Sequence, residues 1–118
     1  IAETGIPERV LVRLIESESS WRPHARSACR PDGTQDIGLA QIHSGYLEYF
    51  ALEYMEGALD PLHPEDSLRF AARYLKALHA RFGSWERAVL AYKVGPSRVE
   101  KASPEIREIS RRVARTFP

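Results

Sequence analysis

Cysteine is almost absent from this 118-residue chain: Cys29 stands alone. A single thiol excludes an internal disulfide framework and, unaided, a cysteine zinc site. It leaves the redox compartment open. A surplus of one charge is also missing, since seventeen Lys and Arg face sixteen Asp and Glu for a net +1. No electrostatic excess therefore points to a nucleic acid or an anionic membrane. Apolar runs are only a few residues long, too short for a membrane-spanning helix. His24, His43, His63 and His79 show no H-E-x-x-H spacing, and no G-x-x-x-x-G-K stretch occurs, so neither a metal site nor a phosphate loop is expected. The chain starts at Ile1 with neither Met nor an apolar leader, as expected of a processed or excised fragment. What remains is 43% hydrophobic and 28% charged, an ordinary globular composition, and no repeat or linker divides it. One domain over residues 1–118 is expected.

The pattern predicts a mainly α protein. Pro7 suits a first helical turn, and Ile6, Val10, Leu11, Leu14 and Ile15 recur at helical spacing to about Ser19 or Ser20. From Arg22 to Asp36 the turn-formers Pro23, Pro31, Asp32-Gly33 and Thr34 predict an irregular loop or a short hairpin around Asp32-Gly33. The apolar hexad Ile37–Ile42 is too short to type. Ser44 is the expected cap of a helix holding Tyr46, Leu47, Phe50, Leu52 and Tyr54 and ending near Gly57. A longer helix, Glu65 to Phe82, carries Leu68, Ala71, Ala72, Leu75, Leu78, His79 and Phe82 on one stripe, and Gly83 stops it. Ser84 caps a helix with Trp85, Ala88, Val89 and Tyr92 in phase, broken at Gly95-Pro96. Ser103-Pro104 starts the last, with Ile106, Ile109 and Val113 inward. Arg107, Arg111, Arg112 and Arg115 crowd that helix. A nucleic-acid or lipopolysaccharide contact is one reading of them; a solvated face is preferred.

Glu18 is the anomaly. It lies four residues after Leu14 and seven after Leu11, on the apolar face of the first helix, whereas Glu16 points to water. A carboxylate on such a stripe is rarely tolerated without a reason. Desolvation and the C-terminal helix dipole both act to raise its pKa toward the range of a general acid. The alternative is a helix that frays earlier and leaves Glu18 solvated.

Three segments then resemble a known family. Glu18-Ser19-Ser20-Trp21 with Pro23 and Ser27 resembles the E-S-x-[FW]-x-P start of the lytic transglycosylase domain, a Glu-Ser start shared with lysozymes. Asp36-Ile37-Gly38-Leu39-Ala40-Gln41-Ile42-His43-Ser44 resembles D-x-G-L-M-Q-I-N-S, and Ala91-Tyr92-Lys93-Val94-Gly95-Pro96-Ser97-Arg98-Val99 resembles A-Y-N-A-G-P-x-x-V. The motifs occur in family order and cover about residues 5 to 100.

The resemblance implies a lysozyme-like α domain with the irregular loop or hairpin before the G-L-A-Q segment, and a site that cleaves peptidoglycan. Glu18 matches the catalytic acid/base; Ser27, Gln41 and Tyr92 would line the cleft. No metal or cofactor is implied. Peptidoglycan glycan strands are the expected partner, with a secretion or envelope machine a further candidate, a monomer the expected state, and the periplasm or cell envelope the location. Asp36 lies on a loop resembling the one on which lysozymes carry a second carboxylate. The small specialised transglycosylases of secretion systems, which this pattern resembles most, also carry an Asp before the same glycine. The resemblance therefore makes Asp36 a second catalytic candidate, ionised to stabilise an oxocarbenium ion or to act as nucleophile. A hydrolytic lysozyme using Glu18 and Asp36 is one alternative, and an Asx-turn role for Asp36 another. Lys93 and His43 stand where the family has Asn, on the substrate side, and Ala40 replaces Met. An ammonium at position 93 near Glu18 would oppose the acid role, which motivates a glycan-binding or scaffold module without turnover. His43 also reads as a packing or capping residue. Tyr46 or Tyr49 would suit sugar stacking.

Overall fold

The computed structural model describes residues 5–115. Its elements are α1 (Glu8–Ser19), β1 (Asp36–Ile37), β2 (Ile42–His43), a 3₁₀ turn (Ser44–Tyr46), α2 (Leu47–Tyr54), α3 (Pro64–Phe82), α4 (Trp85–Val94), a 3₁₀ segment (Pro96–Lys101) and α5 (Pro104–Ala114). They fall into two compact units. One is Ile15–Ala71, and the other joins the residues up to Leu14 with those from Ala72 onward.

In the 15–71 unit the expected hairpin forms. The arms pair antiparallel through a bridge between Arg26 and Ile37, and the Ser27 and Gly38 N–H groups donate to Asp36 O (2.9 Å) and Ala25 O (2.8 Å). The turn closes where Arg30 N–H donates to Thr34 O at 2.8 Å. Asp32 makes an Asx turn there: its Oδ1 accepts from Thr34 N at 2.9 Å and Thr34 Oγ1 at 2.7 Å. The hexad that periodicity could not type becomes the end of β1, a turn and the start of β2. β1 and β2 pair antiparallel with Asp36 opposite His43 and Ile37 opposite Ile42. Between them Gln41 N–H donates to Gly38 O at 3.1 Å. Ile37, Leu39, Ala40 and Ile42 are buried with Ile15, Phe50, Leu59 and Phe70. The Phe50 and Phe70 rings lie 4.7 Å apart, and Tyr54 meets both.

Two expectations about α2 need correction. Ser44 is not its cap: α2 starts after Tyr46 without a side-chain cap. His43 caps the preceding 3₁₀ turn, its Nδ1 accepting from Gly45 N–H at 3.0 Å, and Ser44 Oγ accepts from Gln35 N–H at 3.1 Å across the ladder. Tyr46 sits in the 3₁₀ turn and the helix ends at Tyr54, before Gly57. Leu52, counted among the apolar positions, is exposed, because the eight-residue helix turns one narrow face inward.

In the second unit the punctuation works as read. Gly83 takes φ +87° and its N–H donates to His79 O at 2.8 Å, the left-handed exit that glycine adopts without cost. Ser84 and Ser103 accept from Arg87 N–H (3.1 Å) and Ile106 N–H (3.2 Å) as N-caps. Val10, Leu11 and Leu14 of α1, Ala72, Leu75 and Leu78 of α3, Ala88 to Ala91 of α4, Val99 and Val113 are buried. α5 packs on α4. Ile109 corrects the expected inward set: it is exposed, and Ser110 takes the buried place, its hydroxyl donating to Ile106 O at 2.9 Å. No described helix is long and apolar enough to cross a membrane.

Candidate active site

Glu18 occupies the last turn of α1 and is half-buried, one turn beyond the fully buried Leu14 and Ile15, whereas Glu16 is exposed. The amphipathic phase that singled it out is therefore real. The last turn of α1 holds no basic residue. Ser19 beside it is buried, and its hydroxyl donates to Ile15 O at 3.3 Å. The chain then leaves the helix through Ser20 and Trp21, both left-handed at φ 54° and 61°. Non-glycine residues held there cost about 1–2 kcal/mol each. The other left-handed non-glycine residue among those described is Gln41, φ 52°. Strain of this kind concentrates at functional sites, and here it begins two residues after Glu18 and falls on Gln41 itself. Trp21 is 40% exposed.

The hairpin and ladder gather Ser27, Asp36, Gln41 and His43. Ser27 Oγ accepts from Asp36 N–H at 2.8 Å and donates to Ala28 O at 3.2 Å, so the hydroxyl proton is engaged within the loop. Asp36 is held by Arg30, whose Nη2 reaches Oδ1 at 3.0 Å and Oδ2 at 2.9 Å. The Asx turn considered for Asp36 belongs to Asp32 instead. The two hydrogen bonds from Thr34, side chain first, hold the Asp32 carboxyl below its ordinary value of 3.8. Gln41 Nε2 donates to Ala25 O at 3.2 Å and Gly38 O at 3.0 Å. Its Oε1 remains the acceptor, open to solvent, since the described residues contain no buried side-chain N or O without a partner. His43 uses Nδ1 as the cap acceptor, which leaves its other ring nitrogen as the donor. Its ring lies 4.5 Å from that of Tyr46. Tyr46 and Tyr49 are exposed.

Tyr92 and Lys93 lie at the C-terminal end of α4, in the other unit, and both are half-buried. The Tyr92 ring sits 5.5 Å from that of Tyr74. Among the described residues no group of three or more His, Cys, Asp or Glu is disposed to hold a metal ion. Sequence reasoning missed two supports of this segment. Arg30 opens the Arg30–Asp36 loop likened to that of lysozymes, but its pairing with Asp36 appears only once the hairpin closes. Ser67, fully buried on α3, accepts from Ala40 N–H at 3.0 Å across a sequence separation that no local pattern spans. The arginines of α5 are engaged locally: Arg112 Nε donates to Glu108 at 3.1 Å, Arg111 also pairs with Glu108, and Arg107 binds backbone carbonyls.

The sequence matches the family model of the transglycosylase SLT domain over residues 1–112. Among curated proteins, none matches it. Among solved structures it is similar to the 70 kDa soluble lytic transglycosylase SLT70 of Escherichia coli, at 24% identity and a TM-score of 0.77 over 95% of this chain and 21% of that one. It is also similar to an inactive mutant of the lytic transglycosylase Slt of Pseudomonas aeruginosa, at 22% identity and a TM-score of 0.75 over 95% of this chain and 21% of that one. The chain thus spans about a fifth of the length of these two proteins. At such identities the likeness shows the fold, and it is the mainly α, lysozyme-like one expected from the motifs.

Proposed function

Because the chain belongs to the transglycosylase SLT domain family, we propose that it cleaves the β-1,4 bond between N-acetylmuramic acid (MurNAc) and N-acetylglucosamine in peptidoglycan by lytic transglycosylation. The carrying observation is the family match across residues 1–112, which includes Glu18 at its half-buried helix end. Glu18 donates its proton to the glycosidic oxygen as the bond to C1 of MurNAc breaks. The resulting carboxylate then takes the proton of the MurNAc C6 hydroxyl, whose oxygen closes onto C1. A 1,6-anhydro sugar forms, Glu18 regains its proton and no water is consumed. The open Oε1 of Gln41 offers an acceptor to a sugar hydroxyl or acetamido N–H. Ser27 has a lone pair to offer and His43 a ring N–H; Tyr92 and Lys93 are substrate-binding candidates on their motif alone. The Arg30 contacts to both oxygens of Asp36 support a loop-holding role for that residue over a nucleophilic one.

We read residues 1–118 as one domain because the family match runs through both units. A peptidoglycan substrate puts the reaction in the cell envelope, with the periplasm as the compartment and a secretion or envelope machine as the partner such cleavage would serve. The test is mass spectrometry of fragments released from purified sacculi. Anhydro-MurNAc ends are expected. Reducing MurNAc ends would replace the reading by hydrolysis, and binding without release would replace it by a non-catalytic module.

A further inference from the structure

We propose that the cleft between the N-terminal half of α4 and α5 is a second binding site, for a carboxylate of a peptide stem. The stem as source rests on the peptidoglycan reading above; the carboxylate site does not. The cleft encloses about 330 Å³, lined by Ser84, Glu86, Arg87, Leu90, Arg107, Ser110 and Arg111. Leu90 and Ser110 are buried and form its floor.

Arg107 is its fixed point. Its Nε donates to Ala102 O at 3.2 Å, and its Nη2 to Val99 O at 3.0 Å and Glu100 O at 3.3 Å. Carbonyls orient a guanidinium without neutralising it, and among the described residues no carboxylate hydrogen-bonds to Arg107. Its Nη1 keeps both protons unclaimed by the described residues and is open to solvent, because none of their buried side-chain nitrogens lacks a partner. Held on the last carbonyls of the 3₁₀ segment, the guanidinium keeps its spare donors in a fixed direction, which preorganises it for an anion.

Arg87, which lines the cleft, already holds a carboxylate of its own chain at the cleft's edge. Arg87 Nη2 donates to Glu100 Oε1 at 2.8 Å. That hydrogen bond and the Arg87 charge, with Arg107 adding to them, hold the Glu100 carboxyl below its ordinary range. The Glu100 side chain is 79% exposed, so it returns to water readily when a competitor arrives. Arg111 is paired with Glu108 and comes within 4.0 Å of Glu86. Arg87 and Arg111 thus already have carboxylates beside them, which leaves Arg107, the guanidinium without a carboxylate hydrogen bond, as the group an incoming carboxylate would meet. The capped N-terminus of α4 adds its partial positive charge.

The experiment is an NMR titration of the whole chain with glutarate, the dipeptide L-Ala-D-Glu, neutral glutaramide and inorganic phosphate. Both carboxylates are expected to shift the Leu90 and Ser110 amides saturably, and glutaramide is not. Arg87→Gln should weaken glutarate by about tenfold, the loss of one charge-assisted hydrogen bond. Glu100→Gln, an exposed change, should tighten it by removing the internal competitor. Response to phosphate alone, an equal response to glutaramide, no saturable shift, or weaker binding in Glu100→Gln would overturn the site. Glutarate binding without dipeptide binding would overturn the stem as its source. These titrations read no turnover, so a failure of the catalytic reading leaves them unchanged and is detected separately in released sugar ends.

Discussion

Replacing Gly38 with alanine should destabilise the 15–71 unit more than any other exchange of glycine for alanine on its hairpin. Gly38 is buried with φ +82°. A Cβ there would lie 1.9 Å from Pro61 O and 3.0 Å from Pro61 C. Both obstacles are backbone, so no rotamer change relieves them. The left-handed conformation costs alanine about 1–2 kcal/mol, and forcing apart the two backbone segments about 1–3 kcal/mol more. The sum is about 2–5 kcal/mol, a drop in Tm of roughly 8–20 °C at ~4 °C per kcal/mol for a domain of this size. Gly33 is the control: its φ is +86° and nothing lies within 4 Å of an added Cβ, so Gly33→Ala carries only the conformational part. Thermal unfolding followed by far-UV circular dichroism measures both. A Gly38→Ala drop no larger than that of Gly33→Ala would refute the close approach of the Pro61 loop. The same turn carries Gln41, whose Nε2 is anchored on Gly38 O, so glycan binding should weaken alongside stability.

Ser67→Ala removes the buried hydroxyl that accepts from Ala40 N–H, and should cost about 1–3 kcal/mol in denaturant unfolding. Asp36→Asn breaks a part-exposed pair with Arg30, worth about 0.2–1 kcal/mol, and should leave anhydro-product formation intact; its abolition with the fold unchanged would make Asp36 a catalytic residue rather than a loop-holding one. The Asp32 carboxyl is held below 3.8 by Thr34, so its support of the turn is fully present above that pH and is lost as pH falls through the lower folded value. The Thr34 amide resonance should therefore titrate below pH 3.8, a response that Asp32→Asn abolishes.

Helix punctuation was legible because it is local. Gly83-Ser84, Gly95-Pro96 and Ser103-Pro104 each act within a few residues of the backbone groups they satisfy. The Leu11, Leu14 and Ile15 stripe likewise placed Glu18 on the correct side of α1. The errors arise where two chemistries compete at one position. Ser44 is the better cap by residue type, yet the ladder takes its hydroxyl for Gln35 and leaves His43 to cap the 3₁₀ turn. Ile109 fits the spacing of an inward residue, but Ser110 satisfies its own hydroxyl on Ile106 O and fills the buried place. The supports of the motif segment were not legible at all. Arg30 on Asp36, Ser67 on Ala40 and Pro61 against Gly38 are contacts made by folding: the motif marks Asp36, Gly38 and Ala40, but nothing local marks the residue that meets each.

The most direct measurement compares muropeptides released from sacculi by the wild-type chain and by Glu18→Gln. Glutamine keeps the size of the side chain and removes the transferable proton, so the far-UV spectrum should not change. Release of 1,6-anhydro products should fall by a factor of about 10²–10⁴, the usual contribution of a positioned acid/base. Release by Glu18→Gln within a few-fold of wild type would contradict the assignment of Glu18 and, with it, the mechanism.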